Sequence, residues 1–562
     1  MKRTFAAFAS LLTYAAASLT ASAAAPADLV FLGEHIITME APDRRVGALA
    51  VRGDSIVWTG AREDAAAWIG EHTVTHELGQ RALLPGFIDA HGHLTYQAMV
   101  LDLANVASPP VGPVEDIPAL QQVLADYIAT RPLDDAWIIG NGYDDSLLVE
   151  GRHPTRMDLD AVSGSRPIAL VHVSGHLAVA NSAALAVMGY DAETDDPDGG
   201  HIRRVPGTRV PNGVLEETAI GPLRAHLATP SGDPMDAVAA ALATNAAHGI
   251  TTVQDGAIGP PGLQLLSAMA DAGRLTLDVV AFPLITAADQ PLPEPGDTAA
   301  YRQGLKVGGI KLMLDGSPQG KTAYLSEAYH VPPAGQPADY RGYPIPEQAL
   351  LNGLVARAMG SGVPIIAHAN GDAAAQMLID AVAASSAADG DHRTVMIHAQ
   401  TVRHDQLERM QQLRMVPSFF AAHAFYWGDW HRDSVLGPER AARISPARTA
   451  GALGLPFTIH NDAPVVPPDV IRLLWAATNR LTRSGRVLGP DERIDTYAAL
   501  EAVTVNAARQ HFDEARKGTL TVGKQADLVL LSTSPLAMPA TDLLDLQVTA
   551  TWARGRLVHG NP

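Results

Sequence analysis

The sequence predicts an α/β protein: a (β/α)8 TIM-like barrel with a small β-sandwich domain built from both chain ends and an insertion after the first barrel strand. Three observations carry this. Short β-type runs bracket the chain at both ends, and between them apolar strand-like runs alternate with Ala-rich helical segments, the mark of repeated βα units and a parallel sheet. Eight such runs are countable, as a closed barrel requires. The 562 residues, 47% hydrophobic and 18% charged, suit one large core with appendages and fit neither a disordered nor a fibrous chain.

In chain order, Lys2 and Arg3 precede an apolar run over residues 5–19, and Ala21, Ser22 and Ala23 give the small-x-small pattern of a signal-peptidase site. That run is shorter than the ~20 apolar residues of a bilayer span. Residues 1–23 are therefore expected to be a cleaved export signal, and the protein periplasmic or secreted. Residues 28–37 (DLVFLGEHII), 46–52 and 55–59 are β-type, and residues 526–531 (ADLVLL) and 548–558 (VTATWARGRLV) mirror them. This assigns the sandwich to residues 24–84 and 509–562.

The barrel is expected over residues 85–508. Its candidate strands are residues 82–90 (ALLPGFIDA), 251–254, 277–282, 309–314 (GIKLML), 363–368 (VPIIAH), 394–398 (TVMIH), 415–420 and 457–460. Residues 100–236, approximately, are too many for one βα connection and hold Pro/Gly/Asp clusters such as DDPDGG at 195–200, so they read as an insertion over the barrel mouth.

The formal charge is -19, a field that repels phosphate backbones and anionic lipid. The partners expected are a small-molecule substrate and a second copy in a homodimer, with neither nucleic acid nor membrane. The chain has 0 Cys, so a metal must be held by His, carboxylate or a modified side chain, and 21 His are at hand.

The strongest local signal is PGFIDAHGH, residues 85–93, where His91 and His93 follow an apolar strand with one Gly between them. Strand alternation points both imidazoles the same way, so both can reach one metal. His368, His398 and Asp462 also stand at the ends of candidate strands, where the active sites of such barrels lie. Taken singly, His398 also fits a hydrogen-bonded core residue and Asp462 a helix N-cap; taken together the five favour ligation. Lys311, inside the apolar run GGIKLMLDG, must be paired, neutral or modified. As a carbamate it would bridge two metals; the alternative is a pair with Asp315 or with a substrate carboxylate.

These residues resemble the metal-dependent amidohydrolase superfamily, in particular the amidohydrolase-3 branch that includes YtcJ-like proteins and N-substituted formamide deformylase. The resemblance spans almost the whole chain after the signal. It rests also on GNGYDD (140–145), HVSGHLAVANSAAL (172–185), IKLMLDGSPQGKTAYL (310–325), AHANGDAA (367–374), NDAPV (461–465), LEAVTVNAAR (500–509) and KGTLTVGKQADLVLL (517–531). It implies that His91, His93 and Asp462 hold one metal and His368 and His398 a second, with carboxylated Lys311 as bridge. Zn2+ is the expected ion, one or two per chain, with other divalent metals open. Asn461 departs from the Ser that commonly precedes the aspartate in the branch.

The activity expected is hydrolysis of a C–N bond other than a peptide bond, such as that of an N-formyl or N-acyl amine, with Asp462 as the catalytic proton carrier. Hydrolysis of lactones or carbamates, deamination, and a non-catalytic binding or regulatory role on the same fold are the alternatives. Ring deaminases of this kind carry a Glu three positions after the fifth-strand His, where this chain has Gly371. Substrate contacts are expected from His176, Tyr143, Asp144, Gln319, Lys321 and Trp427, with His172 beside them in the insertion, because barrel-mouth loops build specificity. Phe419, Phe420, Phe425, Tyr426, Trp427 and Trp430 either wall an apolar pocket or belong to the core.

Overall fold

The computed structural model describes residues 25–130, 137–227, 232–333 and 335–562. The expected export signal, residues 1–23, lies outside the described residues. Each of the eight expected barrel runs contains a strand, and neighbouring strands pair in parallel. Phe87–Ile88, Ile250–Ile258, Asp278–Pro283 and Leu305–Val307 form a four-stranded sheet. Ile310–Met313, Ile365–Ala369, Val395–His398, Val416–Phe419 and Thr458–Ile459 form a five-stranded one. Parallel bridges Leu284–Lys311 and Gly92–Ala463 join these two sheets at both margins, giving a fold of TIM-barrel type. Leu305–Val307 is a strand the sequence pattern does not announce. It is three residues long, separated from Ile310–Met313 by Gly308 and Gly309.

Two expected strands divide. The run 82–90 splits at Gly86: Ala82–Pro85 pairs antiparallel with Leu528–Leu531, whereas Phe87–Ile88 pairs with the barrel strand Ile250–Ile258. Only glycine fits the crossing, since a Cβ there would lie 2.3 Å from the Thr251 side chain. The run 548–558 is a hairpin, Val548–Ala553 and Arg556–Gly560, turning through Arg554 and Gly555 at φ 51° and 72°. Positive φ at both central residues matches the twist of a two-residue hairpin.

Both chain ends meet in one eight-stranded sheet, ordered Arg556–Gly560, Val548–Ala553, Leu528–Leu531, Ala82–Pro85, Leu29–Ile37, Arg45–Arg52, Ser55–Gly60, with Val74–Glu77 also on Leu29–Ile37. Phe31, Leu49, Leu83, Leu528 and Trp552 fill its core. Asp278, at the N-terminal end of its barrel strand, receives Lys517 at 2.5 Å and Arg554 at 2.7 Å, which ties this sheet to the end of the barrel opposite the site. The segment between Ala104 and Glu217 builds a separate six-stranded sheet with its own core of Leu120, Leu124, Ile138, Leu170 and Val179. Among the described residues no helix is long and apolar enough to cross a membrane.

Candidate metal centre

The six expected ligands converge at the C-terminal ends of the parallel strands. Asp462 Oδ1 lies 3.1 Å from His93 Nε2 and 3.4 Å from His91 Nε2, and its Oδ2 lies 3.9 Å from His398 Nε2. His398 Nε2 is 3.1 Å from His368 Nδ1, and Lys311 Nζ is 3.0 Å from His91 Nε2. One ligand atom each from His91, His398 and Asp462 falls within 4.8 Å of the others. Asp462 is not a helix N-cap: the next helix begins at Val470 and is capped by Asp469. Lys311 is not paired with Asp315, whose oxygens accept the backbone N–H groups of Tyr324, Asn370 and Gly371.

The hydrogen bonds behind the imidazoles decide which nitrogens face inward. His91 Nδ1–H donates to Gln254 Oε1 at 2.6 Å, and the Gln254 amide is fixed in that sense because its Nε2 donates to the Ala90 carbonyl at 2.8 Å. His93 Nδ1–H donates to the Gly256 carbonyl. His368 Nε2 lies between the Gly316 carbonyl at 3.1 Å and Asn370 Nδ2 at 3.0 Å, an acceptor and a donor. His91 and His93 thus turn Nε2 lone pairs toward Asp462, and His368 turns its Nδ1 toward His398. This is how protein groups hold metal-binding histidines. His398 and Asp462 themselves adopt φ of 71° and 57°, a left-handed conformation that costs non-glycine residues about 1 kcal/mol or more.

Buried acceptors facing acceptors need a cation between them. Asp462 Oδ1 satisfies hydrogen-bond geometry with no neighbour despite the two nearby nitrogens. Burial holds His91, His368 and His398 well below the usual imidazole range, so they stay neutral and available as donors to a metal. Burial also brings the Lys311 ammonium down to about 7. The residues present therefore fit one or two divalent ions.

The amidohydrolase family model matches residues 75–559, most of the chain. The chain belongs to the amidohydrolase family. It is 25% identical over 550 residues to the N-substituted formamide deformylase of Arthrobacter pascens, covering 94% of this chain and 98% of that protein. It is 28% identical over 564 residues to Protein LONG AFTER FAR-RED 3 of Arabidopsis thaliana, covering 96% and 93%. Among solved structures, an uncharacterized metal-dependent hydrolase from Pyrococcus horikoshii superposes with a TM-score of 0.70 at 22% identity, over 91% of this chain and 99% of that one, which shows a shared fold.

Within this amidohydrolase, the expected substrate residues separate into three groups. His176 reaches the centre from the insertion: its ring is 5.2 Å from that of His368, and Glu217 accepts its Nδ1–H at 2.8 Å. Asp144 and Trp427 meet each other, Trp427 Nε1 donating to Asp144 Oδ2 at 2.6 Å across the join between insertion and barrel. The others are engaged internally. Lys321 donates to the Val331 carbonyl and Ser434 Oγ, both at 2.8 Å, and lies over Trp430. Tyr143 OH pairs with His153, and the Gln319 carbonyl accepts Trp430 Nε1. His172 bonds Ser174 and lies 3.2 Å from Asp145.

A cavity of ≈320 Å3 opens beside the centre, lined by Gln97 and Pro464 next to His93 and Asp462, and by Asp144, Tyr426, Trp427 and Arg483. Of the aromatic cluster only Tyr426 and Trp427 line it; Phe419 and Phe420 are core. Gly371 stands where the deaminase Glu would be, and a Cβ there would sit 1.8 Å from the Tyr324 carbonyl, so no side chain fits. Sequence reasoning missed Gln254, Glu217, Arg483 and His460. His460 is fully buried, with rings of His91 and His398 at 5.3 and 5.1 Å and no hydrogen bond on either nitrogen. Only its place in the run FTIHND, two residues before Asp462, marked it.

Proposed function

We propose that this amidohydrolase is a metal-dependent enzyme that hydrolyses the C–N bond of small amides, with N-formyl and N-acyl amines as the substrate class. The observation that carries this is the convergence of neutral, pre-oriented imidazoles on the unpartnered Asp462 Oδ1. His91, His93 and Asp462 would hold one ion, zinc by donor type, and His368 and His398 a second. Bound there, such an ion supplies Lewis acidity and water of pKa about 7. Asp462 takes the proton of the attacking water and passes it to the leaving nitrogen, so that one C–N bond breaks, the acyl carbon gains hydroxyl and the amine gains hydrogen.

Lys311 fits the carboxylated bridge, since an amine adds carbon dioxide only when neutral and burial brings this one down to about 7. The missing acid at Gly371 argues against ring deamination. The similarity to N-substituted formamide deformylase supports an amide substrate. Residues 1–23 favour export to the periplasm or beyond.

The test is metal content of the purified protein and of Lys311→Ala, prepared with bicarbonate, beside turnover of N-formyl amines by the wild type and Asp462→Asn. About two metals per chain, lost or halved in Lys311→Ala, and turnover reduced ~100-fold or more in Asp462→Asn with metal retained are expected. A folded wild type without metal, or near-normal turnover by Asp462→Asn, would overturn the reading.

A further inference from the structure

The cavity beside the centre carries two charged side chains, Asp144 and Arg483, in a wall otherwise mostly apolar. Their situations differ. Both Asp144 oxygens are taken: Oδ2 accepts Trp427 Nε1 at 2.6 Å, and Oδ1 accepts the Ser146 hydroxyl at 2.6 Å and its N–H at 3.0 Å. Arg483, half-buried, has no hydrogen bond or ion pair among the described residues, and its Nε is buried without a partner. Its surroundings are the Tyr426 ring, 5.8 Å from the guanidinium carbon, and the charges of Asp144 and Arg472. Only Nε is withdrawn from water; the rest of the fork is unbonded in the cavity wall, and its planar shape matches a carboxylate.

Resting on the hydrolase reading above, we propose that the substrates are amides that carry a carboxylate: Arg483 binds the carboxylate, the apolar cavity wall takes the body of the amine, and the scissile amide lies at Asp462. N-acylated apolar amino acids are the class that meets all three demands. A volume of ≈320 Å3 suits one such side chain with its carboxylate. Gln97 and Pro464 place the inner end of the cavity against the ligands. Gln97 Nε2 donates to the carbonyl of Ala463, the residue after Asp462, and its N–H donates to the His93 carbonyl. Hydrolysis adds water across the C–N bond and releases the carboxylic acid and the free amino acid.

The experiment compares N-formylphenylalanine with N-formylphenethylamine, identical but for the carboxylate, on metal-loaded wild type, Arg483→Leu and Arg483→Lys. A wild-type kcat/KM ratio of roughly 10- to 100-fold in favour of the acid is expected, collapsing toward unity in Arg483→Leu and partly restored in Arg483→Lys, the span a charge-assisted hydrogen bond commands. A wild-type ratio near one, or a ratio that Arg483→Leu leaves intact, would overturn the proposal while leaving amide hydrolysis standing. Failure to hydrolyse either compound would instead count against the hydrolase reading. Arg483 is then read by binding: 3-phenylpropanoate, and not 3-phenylpropanol, should raise the thermal midpoint of wild type and not of Arg483→Leu. Equal effects of the acid on both proteins would overturn it.

Discussion

Gln254 offers a sharp test of how the centre is held, because it touches no reacting atom. Its Oε1 accepts His91 Nδ1–H at 2.6 Å in a fully buried setting, and its Nε2 donates to the Ala90 carbonyl at 2.8 Å. Gln254→Leu leaves that carbonyl satisfied by Gln510 Nε2 at 2.7 Å but strips the partner from a buried imidazole N–H. An orphaned buried donor costs about 1–3 kcal/mol. The imidazole can recover a partner by changing tautomer or turning, and either withdraws the Nε2 lone pair from the centre. Loss of such an outer partner typically weakens metal binding about 10- to 100-fold, or about 1.4–2.8 kcal/mol. The assay is competition for zinc against a chromophoric chelator at fixed pH, with urea unfolding run in parallel to confirm a native fold. Gln254→Glu keeps an acceptor and should bind zinc at least as well as wild type. A folded Gln254→Leu protein that holds zinc as tightly as wild type would refute the orienting role.

Two more outcomes follow from packing and titration. Gly371→Ala drives a Cβ to within 1.8 Å of the Tyr324 carbonyl, so the urea midpoint should fall by the equivalent of about 1–3 kcal/mol or more; an unchanged midpoint would mean the loop yields freely. Burial holds the His511 imidazole down at about 4, so between about pH 6.5 and 4 the unfolded chain takes up a proton that the folded chain refuses. Stability is therefore lost as pH falls through that window, by at most about 1.4 kcal/mol per pH unit from this residue, and His511→Gln should flatten the pH dependence of urea stability by up to one proton. An identical slope in the variant would remove His511 from the account.

Periodicity alone located the barrel strands because each is a short apolar run ended by polar or Gly residues, and local composition governs that pattern. It misjudged where one strand becomes two. Residues 82–90 are continuous in hydrophobicity, and only the contact between Gly86 and Thr251 shows that Ala82–Pro85 belongs to the terminal sheet. The hairpin at Arg554 and Gly555 was hidden likewise, since a two-residue turn barely interrupts an apolar run.

What the sequence by itself determined is the set of ligand candidates: His91, His93, His368, His398 and Asp462 are marked by chemical type and by position at strand ends, and Lys311 by its charge inside an apolar run, all of which are local properties. Tertiary structure decided the rest. The proton positions on His91 and His93 depend on Gln254 and Gly256, and the ring orientation of His368 on Gly316 and Asn370, groups that lie outside the runs that mark the ligands or two residues along them. Lys321 reads in sequence as a substrate contact, yet the fold gives its ammonium to the Val331 carbonyl and Ser434 Oγ. Arg483, in an unremarkable loop, became a candidate only because the barrel and the insertion line one cavity in which Asp144 is bonded elsewhere and Nε of Arg483 has no partner among the described residues. Ligand type is written in the residue, whereas orientation, pairing and enclosure depend on neighbours that sequence distance does not reveal. Trp427 and Asp144, bonded across 283 positions of chain, show the scale of that gap.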